Sequence, residues 1–100
     1  MKLEEIDLNL LVVFNQLLTE RKVSKVAENL GLGQPAVSNA LARLRKLFDD
    51  ELFLRTAQGM QPTPFAEQLA ESIGYALGMI HSAVNARSSF DPATSQRSFT

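Results

Sequence analysis

Residue types that commonly carry catalysis are few in this sequence and poorly placed for it. The single histidine, His81, has only scattered acids to join it, and the chain contains no cysteine. A metal ion needs clustered donors, so His81 reads as a surface or interface side chain. The adjacent carboxylates Glu4-Glu5 and Asp49-Asp50-Glu51 lack the apolar enclosure that acid catalysis requires. No hydroxyl nucleophile has a base at a plausible spacing. Gly31-x-Gly33 is followed by Gln34-Pro35, without the third glycine or the Lys-Ser/Thr pair of phosphate loops. An enzyme is therefore disfavoured, and neither a cofactor nor a metal is expected. The absence of cysteine also rules out disulfides and fits a reducing compartment.

The chemistry that the sequence does support is contact with a polyanion. Its 100 residues are 45% hydrophobic with a formal net charge of -1, but the charges are segregated. Residues 1–20 carry -3 and residues 56–100 carry -1, whereas residues 21–55 carry +3. That basic third holds Arg21, Lys22, Lys25, Arg43, Arg45, Lys46 and Arg55, with its acids mostly gathered at 49–51. A local basic patch is what phosphate contact needs, although a solvated face with ordinary charge scatter is the competing reading.

The elements that must position these side chains are mostly helical. Asp7 can accept hydrogen bonds from the first free N–H groups of a helix beginning at Leu8. Leu10, Leu11, Val13, Phe14, Leu17 and Leu18 recur at helical spacing until the charged run Glu20-Arg21-Lys22. Ser24 is expected to cap a second, short helix ending at Leu30. Gly31 stands where a helix needs a left-handed residue to turn out, Leu32 follows as an apolar plug, and a third helix starts at Gln34-Pro35.

The third helix is the most informative stretch. At about 100° per residue, Ala36, Val37, Ala40, Leu41, Leu44, Leu47 and Phe48 fall in one arc of roughly 140°. Gln34, Pro35, Ser38, Asn39, Ala42, Arg45 and Lys46 fill the opposite arc, with Arg43 on the boundary. The outward arc is small, amide or hydroxyl at its start, basic at its end, and free of acids. An ordinary solvated face would more often pair Glu with Lys one turn apart. Ala42, in the middle, leaves room for a partner to approach.

Beyond Phe48, Leu52-Phe53-Leu54-Arg55 reads as a strand, Thr56-Ala57-Gln58-Gly59 as a turn and Met60-Gln61-Pro62 as the return. Thr63-Pro64 is a strong helix start. The helix that follows is expected to reach about Arg87, some 36 Å at 1.5 Å per residue. Ala66, Ala70, Ile73, Leu77, Ile80 and Val84 form a heptad seam along it, flanked by Leu69, Ala76 and Ala83. Gly74 and Gly78 suggest close approach of a partner backbone. The alternative is that the stripe covers only the domain's own core. Ser88 to Thr100 is polar and linker-like. No run of 18 apolar residues exists, so no transmembrane span is expected. With no export signal in its acidic N-terminus, the chain is expected to be soluble and cytoplasmic.

The two short helices and their glycine turn form a helix-turn-helix unit. Within it, Ala27-Glu28-Asn29-Leu30-Gly31-Leu32-Gly33-Gln34-Pro35-Ala36-Val37-Ser38-Asn39-Ala40-Leu41 closely resembles the signature of LysR-type transcriptional regulators. Leu52-Phe53-Leu54-Arg55 and Pro62-Thr63-Pro64 resemble that family's wing and the start of its linker helix. Asp7-Leu8-Asn9-Leu10-Leu11 and Gly59-Met60 look most like the subgroup regulating nodulation and aromatic-compound degradation. The resemblance implies a mainly α fold: a winged helix-turn-helix with a short two-stranded wing, followed by a long dimerising helix. Its divisions would be a DNA-binding domain at 1–62 (helix-turn-helix about 23–42), a linker helix at 63–87, and a hinge at 88–100. That hinge would lead to an effector-binding domain, of which Arg97-Ser98-Phe99-Thr100 resembles the first strand, so a fragment or natural truncation is expected.

By the same resemblance the partner is double-stranded DNA, bound as an interrupted dyad by a homodimer, with a tetramer in the full-length parent. Gln34, Pro35, Ser38 and Asn39 would approach bases and nearby backbone in the major groove, while Arg55 would reach toward the minor groove. Ser24, Lys25, Ala42, Arg43, Arg45 and Lys46 complete the candidate DNA-binding set. Leu69, Ala70, Ile73, Leu77, Ile80 and Val84 form the candidate dimerisation set. If the parent follows the subgroup it resembles, a small aromatic effector would bind the absent domain. Two positions depart from the family: Gly33, where relatives usually place Ser or Thr, and Asn39, where many place Arg. A helical module that binds only protein is the rival from a different class. The acid-free arc and Arg55 argue against it, and the overall acidity mildly for it.

Overall fold

The computed structural model describes Glu4 and residues 6–89, with side chains through Ala86. It is mainly helical. Helices α1 (Leu8–Glu20), α2 (Val23–Leu30) and α3 (Gln34–Phe48) precede a ribbon of β1 (Phe53–Thr56) and β2 (Gly59–Pro62), and α4 (Pro64–Ser89) follows. The strands are antiparallel, with Phe53 opposite Pro62 and Arg55 opposite Met60. The hinge expected at 88–100 lies, from Phe90 onward, outside the described residues, and Ser88 and Ser89 still belong to α4.

Local chemistry sets most of these boundaries. Asp7 caps α1 by accepting the Asn9 N–H at 2.9 Å. Gly31 closes α2 in the left-handed conformation (φ 68°), where its N–H bonds the Ala27 and Glu28 carbonyls. Thr63 caps α4, its hydroxyl accepting the Ala66 N–H at 3.1 Å. Ser24 does not cap α2: the helix begins one residue before it, Lys22 occupies the cap position, and no side chain bonds there. The Lys22 carbonyl accepts the first bond of the helix ladder, from the Val26 N–H at 3.1 Å. Gly33 caps α3, also without a side-chain bond.

One core joins all the elements. Phe14 and Leu17 of α1, Val26 of α2, Val37 and Leu44 of α3, and Leu52 and Phe53 at the wing are fully buried. Each such side chain contributes about 1.5–3 kcal/mol of apolar burial. Phe14 and Phe53 stack at a tilt, centroids 5.6 Å apart, which fastens the ribbon to α1. A two-stranded ribbon is marginal by itself, so this anchorage is what makes the wing a fixed element. Two apolar residues expected inside are outside. Leu32 is 44% exposed, and Ala36 is exposed. Ala36 lies about 100° around α3 from Val37, at the edge of the buried arc, where so short a side chain does not reach the core.

Candidate nucleic-acid interface

The outward face of α3 is open from end to end. Gln34, Pro35, Ser38, Asn39, Ala42, Arg43 and Lys46 are all exposed, while Val37, Leu41 and Leu44 on the opposite face fix the rotation of the helix by burial. No acid interrupts residues 29–48. Small side chains lead and cations follow, as Arg45 and Lys46 occupy the last turn beside the helix C-terminus, where positive charge is favoured.

The wing stands against the start of this face. A cleft of about 260 Å³ between them is lined by Lys22, Ser24, Gln34, Ser38, Arg55 and Thr56, among others. The fold thus brings Ser24 of α2, Gln34 and Ser38 of α3, and Arg55 of β1 together from three stretches of sequence. Lys22 was absent from the expected set; its place in the basic run Arg21-Lys22 was the available signal. Arg43 and Lys46 lie elsewhere, beside Leu10 and Leu47 in a separate shallow depression. Lys25 lines a neighbouring depression with Lys22, Ser24 and Glu28, and its ammonium meets Glu28 at 3.3 Å, a solvent-exposed pair of little energetic weight.

Arg45 does not follow the expected pattern. Its guanidinium turns back to the protein: Nε donates to the Glu51 carbonyl at 2.8 Å and Nη2 to the Phe53 carbonyl at 2.7 Å. The Glu51 carboxylate lies 3.7 Å from Nε. The reason is angular. Arg45 sits about 80° from Leu44's neighbour Val37 around the helix, on the flank that faces the wing. Arg21 is likewise engaged, its Nη1 donating to the Gln61 side chain at 3.3 Å.

The candidate dimerisation seam divides in two. Ala66 and Ile73 belong to the core, and Leu69 and Leu77 pack against it partly buried, with Ala70 half-buried. Coverage of the domain's own core accounts for that half, because α4 lies along α1. Ile80 and Val84 are 41% and 69% exposed, and Tyr75 and Met79 on the same helix are 72% and 58% exposed. An open groove of about 490 Å³ runs between α1 and α4 past Leu8, Val12, Gly78 and Val84. Gly74 faces α1 of its own chain, with Asn15 Oδ1 3.7 Å from where a Cβ would stand, while nothing lies within 4 Å of Gly78.

His81 is exposed and neighbours Asn85, whose side-chain amide donates to the His81 carbonyl at 2.8 Å. Among the described residues no group of three or more His, Cys, Asp or Glu could hold a metal ion. No helix among them is long and apolar enough to cross a membrane.

Residues 8–67 match the family model for bacterial regulatory helix-turn-helix proteins of the lysR family. The chain is 60% identical over its whole length to the HTH-type transcriptional activator NahR of Pseudomonas putida, of which it spans 33%. A probable transcriptional regulator from Pseudomonas aeruginosa superposes with a TM-score of 0.82 at 44% identity, over 95% of this chain and 32% of that one. The BenM DBD in its complex with catB site 1 DNA shares the fold, with a TM-score of 0.76 at 20% identity, over 83% of this chain and 93% of that one. The chain covers about a third of the length of the curated relatives it matches. The match across residues 8–67, read with the winged helix-turn-helix described above, places this chain in the LysR family of DNA-binding transcriptional regulators.

Proposed function

We propose that the exposed face of α3 and the wing form the surface that reads operator DNA, and that two copies joined through α4 bind an interrupted dyad. The observation that carries this reading is the cleft where Gln34 and Ser38 of α3 face Arg55 of the wing, beside a helix face free of acids. Gln34, Pro35, Ser38 and Asn39 approach bases in the major groove, the position that a recognition helix offers with its N-terminal residues. Ala42 keeps the helix close to the duplex. Arg43 and Lys46, with Ser24, Lys25 and Lys22, meet phosphates, which position the protein without specifying sequence. Arg55 reaches toward the minor groove. Arg45 is left out of the contact set because two of its donor nitrogens are already bonded to carbonyls.

In this reading residues 1–62 are the DNA-binding unit, α4 is the linker helix and extends through Ser89, and the residues after it lead to an effector-binding domain. Ile80 and Val84, exposed in the single chain, supply the part of the seam that a second α4 covers. The full-length parent is a cytoplasmic regulator, tetrameric, and responsive to a small aromatic effector. The resemblance of Asp7-Leu8-Asn9-Leu10-Leu11 and Gly59-Met60 to the aromatic-degradation subgroup supports the effector.

Selection of duplexes from a random pool tests the reading. The chain should recover related sequences containing two half-sites, and a gel shift should show tighter binding to a selected duplex than to its scrambled counterpart at two salt concentrations. Equal binding to both would leave only non-specific phosphate contact.

A further inference from the structure

We propose that Arg45 is a positioning residue for DNA recognition: it holds the wing against α3 and so sets where Arg55 meets a duplex. The inference rests on the DNA-binding reading above, and extends it to a side chain that touches no DNA. The wing has two outer edges, and each is tied to a different helix. On β2, the Met60 N–H donates to the Arg21 carbonyl at 2.7 Å, which joins that strand to the end of α1. Met60 is the residue opposite Arg55 in the ribbon, so this bond fixes the strand at the height of the reading side chain. On β1, the Phe53 carbonyl accepts Arg45 Nη2 at 2.7 Å, and the preceding turn is held by Nε at the Glu51 carbonyl. Phe53 is two residues from Arg55 along the same strand.

The guanidinium is suited to this task in a way that an ammonium is not. Its donors lie in one rigid plane and can hold two acceptors at a set separation. A lysine at the same position carries the same charge on a flexible stem with no such fork. Charge and geometry can therefore be separated by one substitution. A phosphate contact would survive Arg45→Lys largely intact, because lysine is itself a phosphate binder. A wing clamp would not.

The experiment is a double-mutant cycle of Arg45→Lys and Arg55→Ala, read on a duplex recovered from a random pool by the unsubstituted chain. It is accompanied by hydrogen exchange at the wing amides of all four proteins. Arg45→Lys should lower affinity by about tenfold, the size of one lost charge-assisted bond, without changing the salt slope. In the Arg55→Ala background it should cause no further loss, and exchange at the amides of 54–58 should be faster whether or not DNA is present. Full affinity in Arg45→Lys, an equal loss in both backgrounds, or unchanged wing exchange would each overturn the proposal. If the unsubstituted chain recovers no duplex, the DNA-binding reading fails, and faster wing exchange in Arg45→Lys still supports the clamp while unchanged exchange still overturns it.

Discussion

The Thr63 hydroxyl donates to Asp50 Oδ2 at 2.7 Å, so the turn that leaves the recognition helix is bonded to the residue that starts the long helix. The same carboxylate oxygen accepts the Leu52 N–H at 2.8 Å, and the Leu52 carbonyl accepts the Thr63 N–H at 2.9 Å. These bonds hold Leu52 in a left-handed conformation (φ 65°) that a bulky residue rarely adopts. Because Thr63 Oγ1 also caps α4, the direction of α4 and the base of the wing are set at one small junction.

Thr63→Val keeps the shape of the side chain and removes the hydroxyl. It deletes the cap of α4 and strips the Asp50 carboxylate of one donor, a combined loss of about 1–2 kcal/mol. Thermal unfolding followed by circular dichroism should show a lower melting temperature. An unchanged midpoint would mean that this junction contributes nothing to stability.

Much of the fold was legible because its signals are local. Asp7, Gly31 and Thr63-Pro64 each act within a few residues of themselves, and each does what its type and place indicate. Legibility stops where a residue's role is decided by a distant partner. Arg21, Asp49 and Leu52 all take positive φ without being glycine, and bonds to Leu17, Arg45 and Asp50 sustain them. Arg45 has the charge of a phosphate contact, and only the wing's position shows that its donors are engaged. The heptad seam was visible as a stripe, but spacing alone does not say what covers it. The face of α3 was the clearest functional signal, since an acid-free arc is a property of sequence that folding merely displays; Ala36 was misplaced because it sits at the arc's edge.

Gly59 is a sharper test of how the wing is seated. Its φ is 113°, and a Cβ there would stand 2.7 Å from the Arg21 carbonyl oxygen, a backbone atom that cannot swing aside. Gly59→Ala should destabilise the protein by about 1–3 kcal/mol. Denaturant unfolding would measure it, and full retention of stability would show that the wing does not pack as described.

The exposed half of α4 can be probed without disturbing the core. Val84 is 69% exposed in the single chain, so Val84→Asp should leave the fold intact. Burying that carboxylate in a helix–helix interface costs several kcal/mol, about 3–5 where the charge is unpaired, and the dimer should be lost. Leu77→Asp, by contrast, should damage folding and assembly together, because Leu77 also packs on the core. Sedimentation that finds Val84→Asp as dimeric as the unsubstituted chain would remove this position from the interface.

Arg55→Ala should weaken binding to every duplex, with the larger loss on A·T-rich flanks whose narrow minor groove attracts an arginine. A uniform loss, with the salt slope reduced by about one, would reassign Arg55 to a phosphate. Unchanged affinity on every duplex would take it out of the interface.

The central claim is that the acid-free face of α3 reads sequence, and Asn39 tests it most directly. Asn39 is exposed midway along that face, and its amide can make paired hydrogen bonds to adenine N6 and N7. Lys46, exposed two turns further on, carries a flexible ammonium suited to phosphate. The decisive measurement is the affinity of Asn39→Ala and Lys46→Ala for a panel of single-base changes in a selected duplex, after circular dichroism has shown both to be folded. Asn39→Ala should lose about 1–3 kcal/mol of discrimination at particular base pairs, while Lys46→Ala weakens selected and scrambled duplexes by similar factors. An Asn39→Ala profile that matches the unsubstituted chain at every position would contradict the base-reading role of this face at the residue best placed to perform it.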